Sequence, residues 1–247
     1  METKRQYLLL AMMTFAIFAA GLLMPYTSVM AREKADRDDY GEYEGERVQL
    51  LVDRARLTLD EFLRDPNYAW LQEHIKDARG VLIFPQVVKA GFIFGGSGGT
   101  GVFLARDLKA GNWSEPAFYT VGSVTFGLQA GGEAAQVVML AMTRHAVESL
   151  MSSSFKLGGD VSVTLGPVGA GAKAGADIPN VTGDFISFAK SKGLYAGLNL
   201  EGAVVGVRDG LNHAYYGKEV RPSDIILRQA VSNRGSDRLR AMLRRVE

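Results

Sequence analysis

The apolar and polar positions change rhythm several times along the chain. From Tyr7 to Ala31 there is no charge, and the run LLLAMMTFAIFAAGLLM is almost wholly apolar. A helix there would have no polar face to show to water. Residues 32–47 reverse the pattern: REKADRDDYGEYEGER is dense in charges of both signs and reads as a solvated linker or frayed helix start. Over Val48–Leu63 the period becomes helical. Val48, Leu51, Val52, Ala55, Leu59, Phe62 and Leu63 share one face. Pro66-Asn67 ends that helix, and a second short one is predicted over about Tyr68–Ala78.

After Gly80 the runs become short and rich in β-formers. VLIF and VVKAGFIF, divided by Pro85 and Gly91, predict strands, as does VFLARD after the glycine run Gly95–Gly101. That run itself reads as a hairpin turn. Phe118–Leu128 alternates weakly, Gln136–Met142 is strand-like or the start of a helix, and Thr143 is placed to cap a short helix to Met151. Val161, Val163 and Leu165 alternate with Ser162 and Thr164, as a half-buried strand does. Asp184–Ala189, Leu194–Leu200, Ala203–Arg208 and His213–Tyr216 predict hairpin strands, with Glu201-Gly202 and Asp209-Gly210 as turns. Gly166–Asp177 is a small-residue stretch that suits a close-packed strand or a loop. Pro222 opens a helix to Arg228. At the end, Ser236 is a candidate cap for a helix in which Leu239, Met242, Leu243 and Val246 form a stripe among Arg234, Arg238, Arg240, Arg244 and Arg245. A short basic amphipathic helix of this kind lies either on its own core or on an anionic membrane surface.

Composition sharpens this picture. Of 29 glycines, 25 fall between Gly80 and Gly217, which favours tight turns and closely approaching strands over long helices. The fold class predicted is α+β: N-terminal helices packed on a glycine-rich, antiparallel, barrel-like sheet. There is no cysteine, so disulfides, thiolate metal sites and cysteine nucleophiles are excluded. Lys4 and Arg5 precede the apolar run and Val29-Met30-Ala31 follows it, the order of a secretory signal peptide, with an uncleaved anchor as the rival. Both predict export to the periplasm or cell envelope. Without residues 1–31 the chain has 26 basic and 26 acidic residues, so no global basic field attracts nucleic acid.

Two motifs overlap at the glycine run. Gly96-x-Gly98-x-x-Gly101 fits a dinucleotide fingerprint, which needs a following helix, whereas VFLARD is strand-like. Gly95-x-Ser97-x-Gly99 fits a nucleophile elbow, with Asp160, Asp177, Asp184 or Asp209 and then His213 in hydrolase order. The elbow, however, works at a strand-to-helix turn. His74, His145 and His213 show no ligand spacing. No cofactor and no metal are expected, and a serine hydrolase using Ser97 is the lesser alternative to a non-catalytic binding role.

Ala78-Arg79-Gly80-Val81-Leu82-Ile83-Phe84, Val88-Lys89-Ala90-Gly91-Phe92, Gly98-Gly99-Thr100-Gly101-Val102 and Gly111-Asn112-Trp113-Ser114-Glu115-Pro116 occur in a familiar order. So do Lys156-Leu157-Gly158-Gly159, Gly166-Pro167-Val168-Gly169, Ser191-Lys192-Gly193-Leu194-Tyr195-Ala196-Gly197, Leu200-Glu201-Gly202, Asn212 and Tyr216-Gly217. From about Leu50 to Leu227 the chain resembles the SYLF domain family, of the exported bacterial type. The resemblance implies a lipid-binding module, with phosphoinositide and actin binding in eukaryotic members. Many members carry Arg-Asn after the Gly-Pro-x-Gly turn, where this chain has Ala170-Gly171 and so lacks a positive charge.

The expected organisation is therefore a signal peptide or anchor over 1–31, a charged linker over 32–47, a SYLF-like domain over 48–230 and a basic amphipathic tail over 231–247. The expected function is binding to lipid or a membrane surface in the envelope, with a structural or protein-interaction module as the alternative. Candidate lipid contacts are Lys89, Arg106, Lys190 and Lys192, with Arg238, Arg240, Arg244 and Arg245 of the tail. The expected partners are phospholipid or an anionic membrane surface and an envelope protein. An envelope location makes actin an implausible partner.

Overall fold

The computed structural model describes residues 44–91, 94–107, 111–126, 131–169, 181–191 and 200–246. The chain divides into two compact units, Met1–Glu46 and Arg47–Glu247. The second is the folded domain considered below.

Helix α1 (residues 44–64) buries Val48, Val52, Ala55, Leu59 and Phe62, the face its periodicity predicts, with Leu51 and Leu63 partly covered. A turn at Pro66–Tyr68, capped by the Asp65 side chain, leads into α2 (Ala69–His74). The strands follow: β1 (Gly80–Gly91), β2 (Phe94–Ala105), β3 (Ala117–Phe126) and β4 (Gly131–Ala141). Helix α3 (Arg144–Ser149) has Thr143 Oγ1 accepting from Ala146 N at 3.1 Å, as the sequence predicts. After β5 (Ser154–Lys156), β6 (Val163–Leu165), β7 (Phe185–Ser191) and β8 (Val204–Val207) come α4 (Asp209–Tyr216), α5 (Pro222–Ile226) and α6 (Asp237–Arg245).

The eight strands form one sheet in the order β5-β8-β3-β2-β1-β4-β7-β6. The fold is α+β. Every pairing is antiparallel except β6 with β7, which is parallel. In a flat sheet β5 and β7 would lie about 29 Å apart, six spacings of ~4.8 Å. Instead Phe155 of β5 stacks on Phe185 of β7 with ring centroids 5.9 Å apart, and Leu157 bridges Val161. The sheet therefore curls into a half-barrel. Its two faces bury separate cores because side chains alternate along each strand. Leu82, Phe84, Phe103, Tyr119, Met139 and Phe185 point inward, joined by Ala146 and Leu150 of the α3 region and Ile225 and Ile226 of α5. Val81, Ile83, Val102, Leu104, Phe118, Val138 and Leu140 point outward, under α1, α2, α4 and α6.

Three local outcomes differ from the sequence reading. First, VLIF and VVKAG are one strand, not two. Pro85 sits where the register shifts against both neighbours, a bulge that removes the need for its missing N–H. Second, Gly95–Gly101 lies within β2, not in a hairpin turn. A Cβ on Gly99 would stand 2.4 Å from the Gln86 carbonyl oxygen, and one on Gly101 2.3 Å from that of Ile83. The bulged strand crowds its neighbour there, so these positions lack side chains. Third, His213–Tyr216 is not a strand. Asp209-Gly210 opens α4, with Asn212 N donating to the Arg208 carbonyl at 3.0 Å, and Gly217 closes it at φ +67°. The strand predicted over Leu194–Leu200 and most of Gly166–Asp177 lie outside the described residues.

Candidate functional site

The motifs that suggested chemistry are members of the sheet. Ser97 lies mid-strand, paired in register with Lys89 on β1 and Ser123 on β3. Its hydroxyl shares a hydrogen bond with Ser123 Oγ at 2.7 Å. There is no strand-to-helix turn to lift it as a nucleophile. The same placement removes the dinucleotide reading, since no helix N-terminus follows Gly101. Among the described residues no cluster of three or more acidic or histidine side chains is arranged to hold a metal.

The sequence-predicted basic residues are dispersed. Lys89 is half-buried, nine residues along β1 from the end that pairs with Ala105, so roughly 30 Å separates it from Arg106. Arg106 Nη1 donates to the Lys76 carbonyl. Lys190 Nζ meets Asp65 Oδ2 at 3.0 Å. Burial alone would raise the Asp65 carboxyl, but hydrogen bonds from Asn67 and Lys190 hold it below the usual carboxylate range. Lys192 lies outside the described residues. On α6, Leu239 and Leu243 are buried in the outer core with Met242 and Val246 against it, so the apolar stripe packs on the domain. Arg238, Arg244 and Arg245 are exposed on that helix.

Arg240 points the other way. Its Nη1 meets Glu115 Oε1 at 2.9 Å and its Nε donates to the Trp113 carbonyl at 3.1 Å. Glu115 is only 5% exposed, and its second oxygen accepts from Ser236 Oγ at 2.7 Å. Tyr216 Oη donates to the Pro116 carbonyl at 2.6 Å, and Asn212 Oδ1 accepts from Phe118 N at 3.0 Å. Burial first, then the Glu115 charge, pushes the Tyr216 phenol up. The turn Gly111–Pro116 is thus clamped by α4 and α6, with Trp113 buried beneath it. A second polar knot joins α3 to β7: Asp184 accepts from Thr143 Oγ1, from Ser162 N at 3.0 Å and from Ser162 Oγ at 2.8 Å, with His145 3.5 Å away. Burial opposes ionisation of Asp184, but these hydrogen bonds outweigh it and bring its pKa to about 2.

The outer face of the glycine-rich half of the sheet is sparsely covered. Val88, Gly98, Gly122 and Val204 align in register across β1, β2, β3 and β8. Val88 is 44% exposed, Val204 46% and Val124 75%. The glycines of β2 and β3 separate Val88 from Val204, so the sheet presents bare backbone between exposed valines there. No helix among the described residues is long and apolar enough to cross a membrane.

Comparison with known proteins places these features in a family. A profile described as "Ysc84: Las17-binding protein actin regulator" matches residues 122–246. The chain is 34% identical over 172 residues to an SH3 domain-containing protein of Schizosaccharomyces pombe, covering 68% of this chain and 39% of that one. It is 38% identical over 146 residues to LAS seventeen-binding protein 3 of Saccharomyces cerevisiae, covering 58% and 31%. It is 33% identical over 153 residues to the SH3 domain-containing YSC84-like protein 1 of Bos taurus, covering 62% and 44%. The chain spans less than half the length of each of these relatives. The family description and the name LAS seventeen-binding protein 3 speak of binding and regulation, and none of these names states a reaction. The descriptions overturn the expectation that actin is an implausible partner and lipid the principal one, because export logic applied to residues 1–31 is silent on what the domain itself recognises. With its signature turn clamped in the core and the family profile running over more than half its length, the chain belongs to the Ysc84, or SYLF domain, family.

Proposed function

We propose that this chain is a non-catalytic module that binds a protein surface, with actin filaments the first partner to test. The similarity to relatives named for Las17 binding and actin regulation carries the reading. The placement of Ser97 within a strand and the exposed valines Val88, Val124 and Val204 on one sheet face support it. Co-sedimentation of the protein with actin filaments, run beside anionic vesicles, tests it. Pelleting with filaments supports the proposal. Pelleting with vesicles alone overturns it in favour of a membrane surface, and pelleting with neither removes actin as the partner. Export through residues 1–31 is a separate proposal, resting on the charge and hydropathy order of that segment. N-terminal sequencing of the protein recovered from cells supports it if the chain starts near Arg32, and an intact Met1 in a soluble fraction refutes it.

A further inference from the structure

At the end of the half-barrel where β1 begins and β2 finishes, a cavity of 230 Å³ opens between α3 and α5. Arg79, Arg106 and Arg144 line it, against a single carboxylate, Asp107. Its walls include Ala105, Val147, Ile226 and Leu227, and Leu227 stands 64% exposed at the rim. Gln229, also in the lining, is the one non-glycine residue with positive φ among those described, at +50°. The left-handed region costs a residue with a Cβ on the order of 1 kcal/mol. The turn is fixed there by Ala230 N donating to the Asp224 carbonyl at 2.9 Å and by Arg228 pairing with Asp224 at 2.8 Å. This left-handed turn closes the segment after α5 and fixes where Gln229 lies beside the cavity.

We propose that this cavity binds an acidic peptide segment in which a carboxylate lies next to an apolar side chain. This deepens the protein-binding reading above and rests on it. Guanidinium groups present planar, paired N–H donors that match a carboxylate. Arg106 is oriented by the Lys76 carbonyl, and Arg144 by Glu148, whose Oε1 accepts from its Nε at 2.6 Å while its side chain remains 84% exposed. Three arginines against Asp107 in the lining and Glu148 beside Arg144 leave one positive charge in excess, which favours an anion. The volume admits one carboxylate and one Leu-sized side chain, and the exposed Leu227 offers an apolar shelf beside the arginines. The Gln229 amide can donate to and accept from a peptide backbone.

The test is fluorescence anisotropy of the full chain with a labelled acetyl-Glu-Glu-Leu-Glu-Glu-Leu-amide peptide. A Gln-for-Glu version and a Ser-for-Leu version serve as controls. Binding should require both the charges and the leucines, and should weaken about fivefold or more between 50 and 300 mM salt. Arg144→Glu should weaken it about tenfold and Leu227→Ser about threefold. Both side chains are exposed, so thermal melts should match the parent. Arg79→Glu gives an independent second reversal. The proposal falls if both reversals bind like the parent or if the Gln peptide binds equally well. If the Glu peptide does not bind while the parent still pellets with actin filaments, the cavity assignment is wrong and the protein-binding reading stands. Displacement of bound peptide by anionic vesicles, with Arg144→Glu losing the vesicles too, would overturn it in favour of a lipid headgroup.

Discussion

Replacing Arg240 with alanine should destabilise the domain more than any other single arginine change on α6. The guanidinium makes two contacts with the signature turn, to Glu115 at 2.9 Å and to the Trp113 carbonyl at 3.1 Å. Removing it leaves the Glu115 carboxylate, 5% exposed, with the Ser236 hydroxyl still donating to it. Breaking a buried ion pair by deleting one member costs about 3–5 kcal/mol, because the other charge stays buried. The Arg240 side chain is 23% exposed, so water can follow into part of the vacated space, which places the cost near the lower bound, about 3 kcal/mol. For a domain of about 200 residues, each kcal/mol moves Tm by about 2–4 °C, so a fall of about 6–12 °C is expected by calorimetry. Arg244→Ala, on the exposed side of the same helix, should change Tm by less than about 2 °C. Combining Glu115→Gln with Arg240→Met should cost less than the sum of the two single changes, since each removes what the other leaves unpaired. If Arg240→Ala melts with Arg244→Ala, or the double change is strictly additive, the clamp does not hold the turn.

The remaining expectations are independent of that one. Gly101→Ala should lower stability by about 2–4 kcal/mol in urea unfolding, because its Cβ would meet the Ile83 carbonyl oxygen at 2.3 Å and backbone must move. Asp184 is ionised more readily in the folded state, with a pKa of about 2 against an ordinary 3.8. Its contribution is therefore complete above about pH 4 and is lost as pH falls through about 2. Asp184→Asn should cost about 1–2 kcal/mol at pH 7 and flatten the stability profile in that acid window, measured by urea unfolding at each pH. Any ester hydrolysis by the purified protein should be unchanged in Ser97→Ala, since Ser123 and not a histidine holds that hydroxyl; loss of activity on that change would restore the nucleophile reading.

What could be read along the chain was what local spacing controls. The α1 face from Val48 to Phe62, the Thr143 cap and the Pro222 helix start all depend on residues within a turn of one another. The β1 strand was read as two because Pro85 is a reliable breaker unless a bulge accommodates it, and the bulge exists only through pairing with β2 and β4. The Asp209-Gly210 pair serves a hairpin or a helix start equally well, and the tertiary hydrogen bond from Phe118 N to Asn212 favours the helix. The family motifs did locate the turn Gly111–Pro116, but what grips it lies 121 and 125 residues further on, at Ser236 and Arg240.

The same long separations hide the ion pairs of the basic residues from the sequence. Lys190 and Arg240, candidate lipid contacts by charge, meet Asp65 and Glu115, each 125 residues away in sequence. Arg79 and Arg144, neither of them a candidate lipid contact by sequence, are brought to one cavity by the start of β1 and by α3. The α6 helix shows the rule within nine residues. Arg240 faces inward and acts on stability, whereas Arg244, one turn on, faces solvent. In the Arg79–Arg106–Arg144 cavity the proposed acidic segment would meet three guanidinium groups, with Asp107 in the lining and Glu148 paired to Arg144.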